Sequence, residues 1–283
     1  MPIIQDTELK RGKGRFAYTL IIIILLVGIP LQLLPHAWMF FGMFKGKLEV
    51  IAFPPKLFPT IFLWNNIPET FRAFSLWHNI LNTVLLCGGT ILIQIPISAF
   101  CAYGLSKCRI KGANKYLLFF IGTMMISNQA TIIPTFLMMN QCKLINSLWS
   151  VILSFSAWGW MVFLFKNFFD GIPDALLEAA RIDGASSMAI FLRIVCPLSL
   201  PVFSIAILNT FNAVYSQFMV PLMLLPNKVK WPLMVQIYTA TCSAIPWNQI
   251  MVLLSVASLP LVVVYVICQK NIVQGIVMTG LKG

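Results

Sequence analysis

The sequence predicts an all-α membrane protein with six transmembrane helices and both termini in the cytoplasm. Three observations carry this. Hydrophobic residues make up 59% of the 283-residue chain and charged residues 10%, against roughly 25% charged in a soluble domain, and the mean hydropathy is +0.87. Six stretches contain no Lys, Arg, Asp or Glu: Phe16 to Phe44, Ala73 to Ser106, Tyr116 to Cys142, Leu144 to Phe165, Ile194 to Asn227 and Trp231 to Gln269. Each exceeds the roughly 20 residues that a helix needs to cross about 30 Å of hydrocarbon. Runs such as Ile21-Ile22-Ile23-Ile24-Leu25-Leu26 are apolar without a break, where a membrane β-barrel would alternate.

The first span is expected over Phe16–Leu34, behind a cytoplasmic segment of residues 1–15 that carries Lys10, Arg11, Lys13 and Arg15. A signal peptide has the same charged flank, but this apolar run is too long and no small-residue cleavage site follows, so it reads as a retained anchor. The outer segment Pro35 to His78 holds Pro54-Pro55, Pro59, Trp64, Pro68 and Trp77, a composition for irregular chain hugging the membrane. The remaining spans are expected over Asn79–Tyr103, Leu117–Met139, Leu148–Phe168, Leu198–Leu224 and Met251–Cys268. Residues 16–283 are expected to form one transmembrane domain.

Orientation follows from the loops. Lys plus Arg number four, four, four, one, three, two and two in the successive segments outside the spans, with Lys166, near the end of the fourth span, counted in the loop after it. With the N-terminus inside, 13 of the 20 are cytoplasmic, as retention of positive charge requires. The loop with Lys107, Arg109, Lys111 and Lys115 has no acid and weighs most. The net charge of +12 is met by anionic membrane lipid, at about 1 kcal/mol per well-placed Lys or Arg, so no nucleic acid is needed as partner.

Enzyme signatures are missing. Gly46-Lys47 is followed by Leu48 and lacks the upstream Gly of a phosphate loop, and neither HExxH nor GxSxG occurs. The seven cysteines are scattered without CxxC spacing and read as small packing residues. His36 and His78 sit at predicted membrane edges, where an interfacial role is the ordinary one. No catalytic residue, metal site or cofactor is expected in this chain.

The segment from Asp170 to Pro201 stands apart. It holds four of the eight acidic residues, Asp170, Asp174, Glu178 and Asp183, although it should be cytoplasmic. Pro173 suits a first helical position and Asp174 the positive helix N-terminus. Asp174, Glu178 and Arg181 form a polar stripe, while Ala179 and Ala180 keep the other approach small. Gly184 suits a helix stop with positive φ, Ser186 or Ser187 can cap a second helix, and Pro197 suits entry to the fifth span. Two short helices with a turn are expected, either a docking element or an amphipathic pair lying on the membrane surface.

Glu178-Ala179-Ala180, three residues, Gly184, nine residues and Ile194-x-Cys196-Pro197 resemble the EAA loop of binding-protein-dependent ABC importers, with Cys196 where Leu is usual. The resemblance extends to maltose-type carbohydrate permeases: Ala102-Tyr103-Gly104-Leu105-Ser106-Lys107 is similar to their exit from the second span, Met124 to Phe136 to their third, and Gln269-Lys270 … Gly275 … Gly280-Leu281-Lys282-Gly283 to their ending. It implies a type I ABC importer permease whose loop at about 170–197 is a cytoplasmic coupling helix. Asp174, Glu178, Ala179, Ala180, Arg181, Asp183 and Gly184 would then couple to the ATPase. The implied partners are a second homologous permease, two cytoplasmic ATPase subunits that bind ATP and Mg, and an extracytoplasmic sugar-binding protein, all at a bacterial cell (inner) membrane.

A solute path is sought among polar residues inside spans, which usually face protein rather than lipid. Asn128, Thr131 and Thr135 share one stripe of the third span, and Asn209, Asn212 and Ser216 one stripe of the fifth. They could line a route for a hydroxyl-rich, neutral solute, or simply hydrogen-bond helix to helix. Trp158 and Trp160 could stack on sugar rings, though aromatic residues in spans more often pack or sit in the lipid belt. Tyr215-Ser216-Gln217-Phe218 replaces the family's Trp-Asn-(Asp/Glu/Gln)-Phe. Tyr238 and Trp247, in the last outer segment, are candidate contacts for the binding protein by position. The alternatives are a permease for an amino acid or peptide, an ion-coupled secondary transporter, and a structural or sensory membrane protein. The second usually needs ionisable groups within the spans, where only Lys166 falls, near a span end.

Overall fold

The computed structural model describes residues 12–108 and 110–280, with side chains for all of these except 12–15, 17, 128 and 272–280. Lys10, Arg11, Arg109 and the Lys282-Gly283 ending therefore lie outside the described residues, as does the side chain of Asn128. Every regular element among the described residues is helical. The chain divides into two compact units, one of Met1–Ala73 with Ala244–Val256 and one of Phe74–Ser243 with Ala257–Gly283.

In the first unit, α1 spans Gly12–Gly42 and runs through Pro30 and Pro35, past the expected end at Leu34. A membrane helix tolerates the lost proline hydrogen bonds, and the chain beyond Pro35 stays apolar. The aromatic residues there anchor the outer segment: Phe41 packs edge-on to Phe58 at 4.8 Å and Phe44 to Trp64 at 4.6 Å. The segment is irregular, as its composition predicts, up to the short helix α2, Asn66–Ala73. Asn66 holds the turn by donating to the carbonyls of Met43 and Lys45, each at 2.9 Å. The Lys45 ammonium is buried 4.0 Å from the Trp38 ring centre and donates to the Lys56 carbonyl. Burial pushes its pKa down, with Glu49 opposing.

In the second unit, α3 is one continuous helix, Leu76–Lys107. It is followed by α4, Ala113–Thr123, and α5, Asn128–Gln141, where the sequence suggests one span. The chain between them turns through residues 124–127, and Ser127 is extended at φ −64°, ψ 135°. The expected fourth span is also two helices, α6 (Leu148–Ser154) and α7 (Gly159–Asp170), bent by 52°. Gly159 permits a close crossing: a Cβ there would lie 2.3 Å from the Phe120 carbonyl oxygen. Next come α8, Asp174–Ile182, and α9, Ser187–Leu198, which meets α10, Leu200–Tyr215, at 80°. Pro201 supplies no N–H, so the backbone ladder is easily broken at this corner. The fifth span thus starts where the sequence places it but stops at Ser216 and resumes as α11, Met219–Leu224. The outer helix α12, Leu233–Thr241, follows. The last helix, α13, is continuous over Trp247–Gly280.

Three single helices, Tyr18–Gly42, Leu76–Lys107 and Trp247–Asn271, are long and apolar enough to cross a membrane, and the two bent pairs bring the number to five. The main core of the second unit joins Ala99, Ala102 and Tyr103 of α3 with Phe165 and Phe169 of α7 and Phe191 of α9. It includes Leu177 of α8.

Candidate functional site

Two of the interruptions in the helices of the second unit line a cavity of about 480 Å³. Phe155, Ala157 and Trp158 come from the bend between α6 and α7, Ser216, Gln217 and Phe218 from the gap between α10 and α11, and Gln129 from the first turn of α5. Non-helical backbone at membrane depth is tolerated where it is enclosed by protein or lines a wet cavity. The broken elements and the cavity are therefore one feature.

Thr131 and Thr135 of α5 and Ser216 after α10 line this cavity, so two stripes of the sequence reading converge in space. Asn209 and Asn212 do not line it. Asn209 donates to the Ile205 carbonyl at 2.9 Å, and Asn212 accepts from Ser216 at 3.2 Å. The face of α10 that turns inward is instead Thr210, Ala213 and Val214, offset from the stripe read in sequence by about one residue, or 100°. Trp158 is in the wall, while Trp160 packs against the core; their rings are 5.0 Å apart.

Gln94 was not singled out by the sequence reading, although Thr90 and Ser98 stand four residues to either side of it on one face of α3. That polar stripe at helical spacing within an apolar run was the available signal. Gln94 is 2% exposed, lines the cavity, and accepts from the Thr210 hydroxyl at 2.6 Å. The charged residue types are absent from the lining, which holds neutral donors and acceptors beside the aromatic faces of Trp158, Phe155 and Phe218.

The second site is the segment singled out between the fourth and fifth spans. The helix begins at Asp174 with Pro173 as its cap residue, one position from expectation. Gly184 has φ +83° and Ser186 caps α9 by accepting from the Ala189 amide at 3.2 Å. Asp174, Glu178, Ala179, Arg181, Asp183 and Gly184 are exposed, whereas Ala180 is half-buried against the core. Ile182 is 87% exposed, and Leu176 and Met188 are half exposed, large apolar side chains that the sequence reading did not single out.

Tyr238 of α12 stacks on Phe218 of the cavity wall with ring centres 4.2 Å apart. Trp247, in the other unit, is half exposed at the start of α13. No group of three or more His, Cys, Asp or Glu able to hold a metal ion occurs among the described residues.

Comparison with known proteins accords with this arrangement. The model of the family "Binding-protein-dependent transport system inner membrane component" matches residues 8–278. The polygalacturonan/rhamnogalacturonan transport system permease protein YtcP of Bacillus subtilis (strain 168) is 30% identical over 96% of this chain and 100% of its own length. The sn-glycerol-3-phosphate transport system permease protein UgpE of Yersinia pestis bv. Antiqua (strain Antiqua) is 29% identical over 95% of this chain and 98% of its own. Among solved structures, a bacterial ABC transporter involved in the import of the acidic polysaccharide alginate has a chain that superposes with a TM-score of 0.79 at 20% identity, covering 95% of this chain and 99% of that one; the likeness is one of fold. A family match over nearly the whole length, joined to long apolar helices and a neutral internal cavity, makes this a multi-pass membrane protein of transport and not an enzyme: the chain belongs to the family of binding-protein-dependent transport system inner membrane components.

Proposed function

We propose that the chain is one permease subunit of a bacterial ATP-driven importer that passes a saccharide from an extracytoplasmic binding protein to the cytoplasm. The observation that carries this reading is the cavity: Gln94, Thr131, Thr135 and Ser216 offer neutral hydrogen-bonding groups beside Trp158. Each such bond to a hydroxyl is worth about 0.5–1.5 kcal/mol net, so a sugar is held weakly and released easily. A charged solute would want a counter-charge in low dielectric, so we favour a neutral oligosaccharide. Relatives named for an anionic solute, sn-glycerol 3-phosphate, mean that charge is the point to test.

In this reading the broken pairs α4–α5, α6–α7 and α10–α11 each make one crossing, which with α1, α3 and α13 gives six in a single transmembrane domain with both termini cytoplasmic. Asp174, Glu178, Ala179, Ala180, Arg181, Asp183 and Gly184 sit against one of two ATPase subunits, which bind ATP and Mg. Tyr238 and Trp247 face the binding protein, and the apolar, exposed length of α1 meets lipid or the second permease. The test is uptake by the reconstituted complex across labelled neutral sugars, acidic sugars and amino acids. Uptake of an amino acid alone would refute the saccharide reading. Separately, Lys111→Cys in a cysteine-free background should react only with reagents that enter the cytoplasm; labelling from outside would refute the topology.

A further inference from the structure

The last turn of α3 is tied to the coupling segment by one buried side chain. Lys107 is the final residue of α3 and its side chain is 5% exposed, whereas that of its partner Asp174 is 72% exposed. The ammonium donates to the Ile172 carbonyl at 2.7 Å and pairs with Asp174 Oδ1 at 2.7 Å. Neighbouring contacts reinforce the tie. Arg181, in the last turn of α8, donates to the Lys107 carbonyl at 3.4 Å. Ser106 donates to Asp170 Oδ1 at 2.6 Å and Tyr103 to the Ser187 carbonyl at 3.2 Å. The end of α3 thus grips the coupling segment before, along and after α8.

A buried ammonium deprived of its partners is strongly unfavourable. Moving α8 relative to α3 would strand Lys107 in just that state, so the two helices are held to move together. The sequence resemblance points at α8 as the docking element but assigns nothing to Lys107. On the same continuous helix, 13 residues before it, stands Gln94 in the cavity wall, about 20 Å away at 1.5 Å per residue.

We propose that Lys107 is a positioning residue, the strut that makes α8 and α3 one rigid body, so that a push on α8 from the cytoplasm arrives at the Gln94–Thr210 wall of the cavity. This rests on the reading that α8 receives such a push from an ATPase subunit. The alternative is that Lys107 only caps the fold, in which case its loss lowers stability and leaves the stoichiometry of transport alone.

The experiment uses the complete complex in proteoliposomes with loaded binding protein, measuring solute taken up per ATP hydrolysed. Lys107→Met keeps the aliphatic stem and removes the charge. We expect ATP hydrolysis to persist while the ratio falls about tenfold, in the range of coupling between distant sites. Lys107→Arg, which keeps charge and donors, should restore most of the ratio. Asp174→Ala, on an exposed side chain, should lower it less, because the Ile172 carbonyl remains. An assembled Lys107→Met complex with the native ratio overturns the strut, even if both rates fall together. If Lys107→Met does not assemble, a native ratio in Asp174→Ala overturns it instead. A native complex that moves no solute on ATP would overturn the transport reading itself, a result distinct from either.

Discussion

Replacing Thr210 by Val should unlock the wall between α3 and α10, and the structure sets the size of the effect. The Thr210 hydroxyl donates to Gln94 at 2.6 Å, with the two residues 1% and 2% exposed. Hydrogen bonds between membrane helices average about 0.6 kcal/mol and reach about 1.7, while a buried acceptor left without a donor costs about 1–3 kcal/mol. Gln94 touches the cavity, from which water can give partial relief, so Thr210→Val should cost about 1–2 kcal/mol. Combining it with Gln94→Met removes both polar partners and should recover nearly all of that loss, since replacing both ends is close to neutral. Transport should behave oppositely. The double variant lacks the polar side chain of Gln94 in the cavity lining, so uptake should stay about two- to tenfold down although the fold is restored. Thermal unfolding of the purified complex, followed by reactivity of the buried thiols of Cys87 and Cys268, reads the first quantity as a shift of about 2–4 °C per kcal/mol. Proteoliposome uptake reads the second. A double variant as unstable as Thr210→Val, or one with full uptake, would refute the reasoning.

Gly159→Ala would drive a methyl to 2.3 Å from the Phe120 carbonyl oxygen and 2.6 Å from Thr123 Oγ1. The forced separation of α4 and α7 should cost about 1–3 kcal/mol, and an unchanged melting temperature would contradict the close crossing. Gly184→Val meets no neighbour within 4 Å, so its cost is the backbone at φ +83°, about 1–2 kcal/mol for any L-residue and more for a β-branched one. It should uncouple ATP hydrolysis from uptake, and normal uptake by an intact complex would remove Gly184 from the coupling role. In the outer segment, the Thr60 hydroxyl and amide, then the Gly46 amide, hold the Glu49 carboxyl below its ordinary range. A depressed carboxylate stabilises above its unfolded value and loses that contribution as pH falls through the lower folded value. The protection of residues 46–60 against hydrogen exchange, taken relative to the intrinsic rate at each pH, should therefore fall on acidification, and Glu49→Gln should abolish that dependence.

The coupling segment was legible because its signals are local. A cap residue, an acid at the helix start and a glycine that can adopt positive φ act within a few bonds of one another, so Pro173, Asp174, Gly184 and Ser186 could be placed to within a residue. The solute path was legible only in part. A polar stripe in sequence says that some face is polar, but not toward which neighbour it turns. For α5, Thr131 and Thr135 face the cavity. For α10, a rotation of about one residue puts Thr210, Ala213 and Val214 inward and leaves Asn209 and Asn212 bonded along their own helix.

What the amino-acid sequence determined by itself was the membrane character of the chain, its helices and the excess of positive charge in the segments read as cytoplasmic. These depend on composition and short-range pattern, which a bilayer enforces directly: apolar runs must be long enough, and backbone groups must bond within the helix. The tertiary structure alone decided where those helices break, that two interruptions line one cavity, that Gln94 and Thr210 meet in its wall, and that Lys107 is buried against Asp174. Gln94 and Thr210 lie 116 residues apart and Lys107 and Asp174 lie 67 apart. Pairings at such separations arise only when whole helices pack, because the energy that selects them is shared among every contact of the interface.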